Sequence, residues 1–314
     1  MADIYMHERL AKEVMKARKI TEHTALFLLG SQGPDPFYYV VFSEDFKPAR
    51  EIGDRLHDTN INRLLTRMTN YVKDHYSDAL YAYYQGFLLH FALDTNIHPY
   101  VYHHVGVFDS EDSSTQAMRG LHLKFERSID KILVEEDHRK KAHRYAWING
   151  VPKVSAKKDL ENLYEHVVFE TLNVANGGKL FLRGVKGMRR VIKLFMKDRF
   201  GFKKWVYRLI DKRSTSQDLF YEDMSLYGDV EAYDFLNREH RSWRHPITNE
   251  PSQKSVDDLY LDAYEDALKY LAATESYIKN GQSLDFNVLF GNRSFNSGID
   301  CEDPRPMQYF SLYR

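Results

Sequence analysis

Cysteine is almost absent: Cys301 is the only one in 314 residues. That excludes an intrachain disulfide framework, fits a reducing compartment, and rules out a thiolate-rich zinc finger. Any metal would therefore have to be held by histidines and carboxylates. Long apolar runs are missing too; none approaches the roughly 20 residues needed to cross a bilayer, so no transmembrane segment is expected. The opening Met-Ala-Asp-Ile-Tyr-Met-His-Glu-Arg lacks the basic head and apolar core of a secretory signal, which predicts a cytoplasmic location. Strand-like alternation is scarce, and residues 38–41 are the one short candidate, too brief to build a sheet. There is no P-loop, dinucleotide fingerprint or Ser–His–Asp elbow, and no repeat of 20–50 residues that would make a solenoid.

What is present is apolar material at helical spacing. Apolar residues make up 43% of the chain, and 22 Tyr with 19 Phe make its core bulky and rich in phenols needing partners. Helical patterns run over about 7–17, 20–30, 46–72, 76–104, 115–136, 157–174, 180–197, 202–212 and 256–280. The expectation is an all-α, multi-helix bundle. Breakers fall at Gly33-Pro34-Asp35-Pro36, at Asn176-Gly177-Gly178 and over 244–254. A soft boundary near 137–156 separates a helical core, 1–136, from a helical continuation, 137–314, and the two are expected to form one compact unit. The last thirty residues, rich in Asn, Gly, Ser and Pro, read as an irregular tail.

His90, Asp94 and His98 stand at i, i+4 and i+8 in one of these helices. Each four-residue step turns a helical side chain by only about 40°, so all three point the same way. The first and last are roughly 12 Å apart along the axis, too far to share one zinc, whose nitrogen ligands lie at about 2.0–2.1 Å. Each imidazole can hold its own metal with the carboxylate between them, which predicts a row of metals along a helix. His122 and Glu126 repeat the i, i+4 spacing on the next helical segment, a pair that by itself reads more readily as a solvated face and gains weight only beside the first triplet.

Asp35 lies between two prolines, which stiffen its turn. His57 follows on the next helical segment, and His7 lies in the first. Taken singly, Asp35 reads equally as an ordinary turn or cap residue, His57 reads more readily as a surface histidine, and His7 is ambiguous. Together the eight candidates are His7, Asp35, His57, His90, Asp94, His98, His122 and Glu126, all nitrogen or carboxylate donors that suit zinc. His103 and His104 would replace His98 if the site helix ended early. His23, His75, His138 and His143 show no such pattern.

These motifs, in this order, resemble the bacterial zinc-dependent phospholipase C family. They are Met-His-Glu-Arg, Gly-Ser-Gln-Gly-Pro-Asp-Pro-Phe-Tyr-Tyr, Leu-His-Asp, Gly-Phe-Leu-Leu-His-Phe-Ala-Leu-Asp-Thr-Asn-Ile-His-Pro-Tyr and His-Leu-Lys-Phe-Glu. The same superfamily includes fungal single-strand-specific zinc nucleases and the N-terminal domain of glycosylphosphatidylinositol-specific phospholipase D. The resemblance covers roughly residues 1–135 and implies an all-α bundle with up to three zinc ions in a cleft. Carried over by position, Asp35, His57, His90 and Asp94 would hold one zinc, and His98, His122 and Glu126 a second. His7 and Asp94, with the amino group and carbonyl of the N-terminal residue, would hold a third. Removal of Met1 would free Ala2 for that role. Water between the first two metals would be the nucleophile and Asp35 the general base. The secreted members have two more residues between the Asp and the last His of the central motif; the spacing here resembles the phospholipase D branch.

The implied activity is phosphodiester hydrolysis, with a phospholipid or another phosphodiester as substrate. A single-strand nuclease on the same metals, or a non-catalytic zinc-binding member of the fold, are the alternatives. Net charge is −1, yet residues 179–213 carry thirteen Lys and Arg against two Asp, leaving −12 on the remainder. Phe181, Phe195, Phe200, Phe202 and Trp205 interleave with those cations. Such a stretch suits an anionic membrane surface or a nucleic-acid backbone, or is a solvated face.

Overall fold

The computed structural model describes residues 4–41, 43–213 and 220–313. Among them the chain is an all-α multi-helix bundle. Named strand is confined to one antiparallel pair, Trp243–Arg244 (β1) with Pro251–Ser252 (β2). The helices in chain order are α1 (Ile4–Ala17), α2 (Thr24–Gly30), α3 (Phe46–Asp58), α4 (Ile61–Asp74), α5 (Asp78–Val105) and α6 (Leu121–His138). After them come α7 (Lys157–Leu172), α8 (Gly177–Val191), α9 (Phe202–Asp211), α10 (Val256–Asn280) and α11 (Phe286–Phe290).

α5 is the axis of the molecule. Its 28 residues are apolar nearly all round and buried along most of their length, the pattern of a helix enclosed by others. Ser77 starts it by accepting the Leu80 N–H, and Asp78 sits favourably in the first turn. α1, α2, α4, α6 and α10 pack around it, while α7 and α8 pack on each other and on the turn at Asp35–Tyr39. One hydrophobic core contains side chains from both sides of residues 137–156, Tyr270 and Phe295 among them.

Pro99 lies inside α5 and offers no N–H to the Thr95 carbonyl one turn earlier. The backbone of Gly298 (φ +70°) closes on that carbonyl, where a Cβ would come within 2.3 Å of the oxygen. A glycine is needed at this approach.

Three expectations from sequence need correction. The 46–72 pattern is two helices: Thr59 is extended and Asn60 left-handed, a conformation Asn tolerates, so α3 ends at Asp58. Residues 38–41 form no strand, since Asp35–Tyr39 is a 3-10 turn set by its prolines. The 115–136 pattern begins as a separate 3-10 turn, Ser113–Met118, and α6 starts only after left-handed Gly120.

Candidate metal centre

Three fully buried side chains of α5 face one way, as their spacing requires: His90, Asp94 and His98. His90 Nε2 lies 3.0 Å from Asp94 Oδ2, and His98 Nε2 lies 3.7 Å from Oδ1. α1 brings His7, whose ring stacks on His90 at 4.3 Å and whose Nε2 is 3.3 Å from Asp94 Oδ1. The Pro34–Asp35–Pro36 turn and the end of α3 bring a second side of the cluster. Asp35 Oδ1 is 3.3 Å from His57 Nε2 and 3.8 Å from His90 Nε2. α6 closes the far end, where Glu126 Oε1 lies 3.0 Å from His122 Nε2 and 3.3 Å from His98 Nε2. Of the eight side chains only His122 reaches solvent appreciably, at 31% exposure, so the cluster opens there. α5 runs on to Val105, and neither neighbour of its end substitutes for His98. His103 Nδ1 bonds the Tyr309 carbonyl and His104 Nδ1 meets the Tyr233 hydroxyl.

The tautomers follow from what stands behind the rings. His57 Nδ1 is 2.7 Å from the Gly53 carbonyl, His90 Nδ1 is 3.2 Å from that of Ser31, and His98 Nδ1 is 2.8 Å from that of Phe295. A carbonyl only accepts, so each Nδ1 carries a proton, and each Nε2 is the nitrogen turned toward the cluster, where a metal would take its lone pair. Burial pushes His98 well below its ordinary value, and it lowers His7 with help from His90. Burial alone would push the Asp94 carboxyl up, yet His90, His98 and His7 around it hold it well below the usual carboxylate range. His90 is also driven down by burial, but the Asp94 and Asp35 carboxylates outweigh this and raise it.

The result is an electrostatic problem that a cation solves. His7 Nε2, His57 Nε2, His90 Nε2, His98 Nε2, Asp35 Oδ1 and both oxygens of Asp94 are buried with no hydrogen-bond partner. Lone pairs facing carboxylates at this depth repel one another and forgo water. A tetrahedral zinc with ligands at about 2.0–2.1 Å sets neighbouring donor atoms roughly 3.3 Å apart. The imidazole–carboxylate separations here, 3.0 to 3.9 Å, bracket that edge. Three groups could each surround an ion: His7–His90–Asp94, Asp35–His57–His90 and His98–His122–Glu126. The donor set therefore fits zinc. Met1 and Ala2, the expected source of an amino-terminal ligand, lie outside the described residues.

Several supporting groups escape a reading of sequence. The carbonyls of Ser31, Gly53 and Phe295 carry no side-chain signature. Gly33 (φ +49°) passes so close to His90 that a Cβ would lie 2.1 Å from its ring. Asp130 accepts the N–H groups of Tyr5 at 2.6 Å and Met6 at 2.9 Å, fixing the start of the helix that carries His7. Here a signal existed, because Asp130 continues the His122–Glu126 stripe by one more turn of α6.

Comparison with known proteins agrees in one respect and is silent in two. Residues 5–174 match the family model described as zinc dependent phospholipase C, a span containing all eight cluster residues. No curated protein and no solved structure matches the chain.

Proposed function

This chain belongs to the zinc dependent phospholipase C family, and on that premise we propose that it hydrolyses a phospholipid on the glycerol side of its phosphate. Asp35, His57 and His90, with Asp94 beside them, would hold one zinc, His98, His122 and Glu126 a second, and His7 with Asp94 would help to hold a third. Bound there, zinc supplies Lewis acidity that brings a water toward a pKa of about 7 and offsets charge on the phosphate oxygens.

The chain's own groups do the rest. The carbonyls behind His57, His90 and His98 hold the proton on Nδ1 and aim each Nε2 inward. Asp94 serves several ligands at once because its two oxygens face different histidines. Asp35 accepts a proton from the attacking water as the new P–O bond forms and the bond from phosphorus to the glycerol oxygen breaks. That proton then goes to the departing alkoxide, giving diacylglycerol and a phosphorylated head group. Substrate enters from the His122 edge, where the cluster meets solvent.

The observation that carries this reading is the convergence of orphaned, deeply buried donor atoms at zinc-edge spacing. Elemental analysis with side-by-side assays on phosphatidylcholine and single-stranded DNA tests it. The expected result is at least two zinc ions per chain, turnover of the lipid, and loss of both in His90→Ala. Efficient turnover of DNA alone would make the protein a nuclease. Fewer than two tightly bound ions with neither substrate turned over would make it a binding protein.

A further inference from the structure

Within residues 194–210, six large apolar side chains face solvent. Leu194 is 62% exposed, Phe200 78%, Phe202 68% and Trp205 56%, and Leu209 and Ile210 are exposed beside them. The composition of 179–213 conceals this division, because Phe181 is buried and stacks on Tyr164 at 3.7 Å, and Phe195 is half-buried. On α9, Phe202, Trp205 and Leu209 stand at i, i+3 and i+7, one stripe of the helix, while Tyr207 turns inward to the core side. Large apolar side chains exposed this densely over one short stretch mark a surface that meets something.

Its surroundings say what. Lys203 donates to the carbonyls of Leu194 and Lys197, tying α9 to the turn before it, so the patch is a formed surface. Arg208 pairs with Glu222. Among the described residues, Lys193, Lys197, Arg199, Lys212 and Arg213 have no carboxylate within ion-pair distance. Like charge opposes pairing with a second copy of the same surface. Leu194, Leu209 and Ile210 have no ring to stack on a base, which disfavours nucleic acid. Aromatic and aliphatic tips ringed by Lys and Arg match the interface of an anionic bilayer, with apolar groups in the acyl boundary and cations among the head groups.

We propose that the surface formed by residues 194–210 docks the protein on anionic phospholipid membranes. It rests on the hydrolase reading for its purpose, which is to present lipid to the metal centre. The chain after α9 returns at Phe220, whose ring lies against Gly120 and under the Arg119 guanidinium at 4.6 Å. Arg119 and Gly120 lie three and two positions before His122, the exposed edge of the centre. The 3-10 turn Tyr221–Met224, just after Phe220, packs on both α9 and α6 and so joins docking surface to site opening.

The full chain carries its own reporter. Trp147 and Trp243 are buried, so an emission change on adding vesicles reads Trp205. Vesicles of phosphatidylcholine with phosphatidylglycerol should sediment the protein and shift its emission to the blue, and neutral phosphatidylcholine vesicles should do so much less. Phe200→Ser with Phe202→Ser should weaken partitioning roughly tenfold or more, given two large side chains withdrawn from the bilayer. Hydrolysis of a water-soluble short-chain phosphatidylcholine should stay unchanged in that variant. Equal binding by wild type and the double variant would overturn the proposal, as would an emission shift with single-stranded DNA but none with vesicles. If vesicles bind normally while the short-chain lipid is untouched, the hydrolase reading fails and the docking surface stands.

Discussion

The carbonyl of Phe295 accepts the Nδ1–H of His98 at 2.8 Å, across 197 residues of chain. Its amide donates to the His57 carbonyl at 2.9 Å, one of the acceptors left open where α3 ends. Its ring lies against His57 and His90. One residue of the irregular tail thus steadies histidines at both ends of the cluster. Phe295→Ala removes a fully buried ring and should cost about 3–5 kcal/mol of stability. The variant keeps the carbonyl that accepts from His98 but loosens the packing that places it, so zinc affinity should also weaken, by at most the roughly 10–100-fold of a lost supporting bond. Denaturant unfolding and metal titration read the two losses separately. Unchanged affinity in a folded variant would show that the tail only fills space.

Asp94 is the hub of the cluster, facing His7, His90 and His98. Its own group is His7–His90–Asp94, but its oxygens also lie 3.9 Å from His57 Nε2 and 3.7 Å from His98 Nε2 in the other two groups. His122 serves its single group at the open edge. Asp94→Asn, which keeps shape and removes charge, should therefore lower zinc stoichiometry by more than one ion, and His122→Ala by one. Elemental analysis of the two purified variants decides this. Equal losses would mean that Asp94 does not connect the groups.

Asp130 holds α1 by two charge-assisted bonds to backbone amides. Its replacement by Ala leaves two buried N–H groups without an acceptor, a cost of about 2–3 kcal/mol. Because α1 carries His7, the loss should extend to the neighbouring metal while the His98–His122–Glu126 group keeps its ion. A lowered Tm with one zinc fewer is the expected pair of results. A lowered Tm with full zinc content would limit Asp130 to stability.

How far sequence reaches follows from where each signal resides. α5 is legible because an all-round apolar run is long and three of its polar residues, His90, Asp94 and His98, share one face. The eight cluster side chains, drawn from five separate segments, do lie together. The rings' anchors were hidden, being main-chain oxygens that any residue supplies. The break at Thr59–Asn60 is hidden because both residues tolerate a helix, while the His57 carbonyl freed there is taken by the distant Phe295 amide. Charge counting found the basic stretch, but tertiary packing decided which of its aromatics went inside.

His104, outside the cluster, makes a pH test independent of metal. Burial, with His103 beside it, pushes its imidazole down to about 3 from an ordinary 6.5. The folded protein thus refuses a proton that the unfolded chain accepts below 6.5. Between about pH 6.5 and 3 the unfolded state binds more protons, so stability falls as pH falls across that window. Above 6.5 neither state is protonated at this site, and the contribution is flat. His104→Gln keeps a polar side chain near the Tyr233 hydroxyl but cannot titrate, so it should lose less stability than wild type between pH 6.5 and 5. Chemical denaturation of metal-stripped protein at both pH values supplies the comparison. Parallel slopes in the two proteins would mean that His104 is protonated as readily in the fold as out of it.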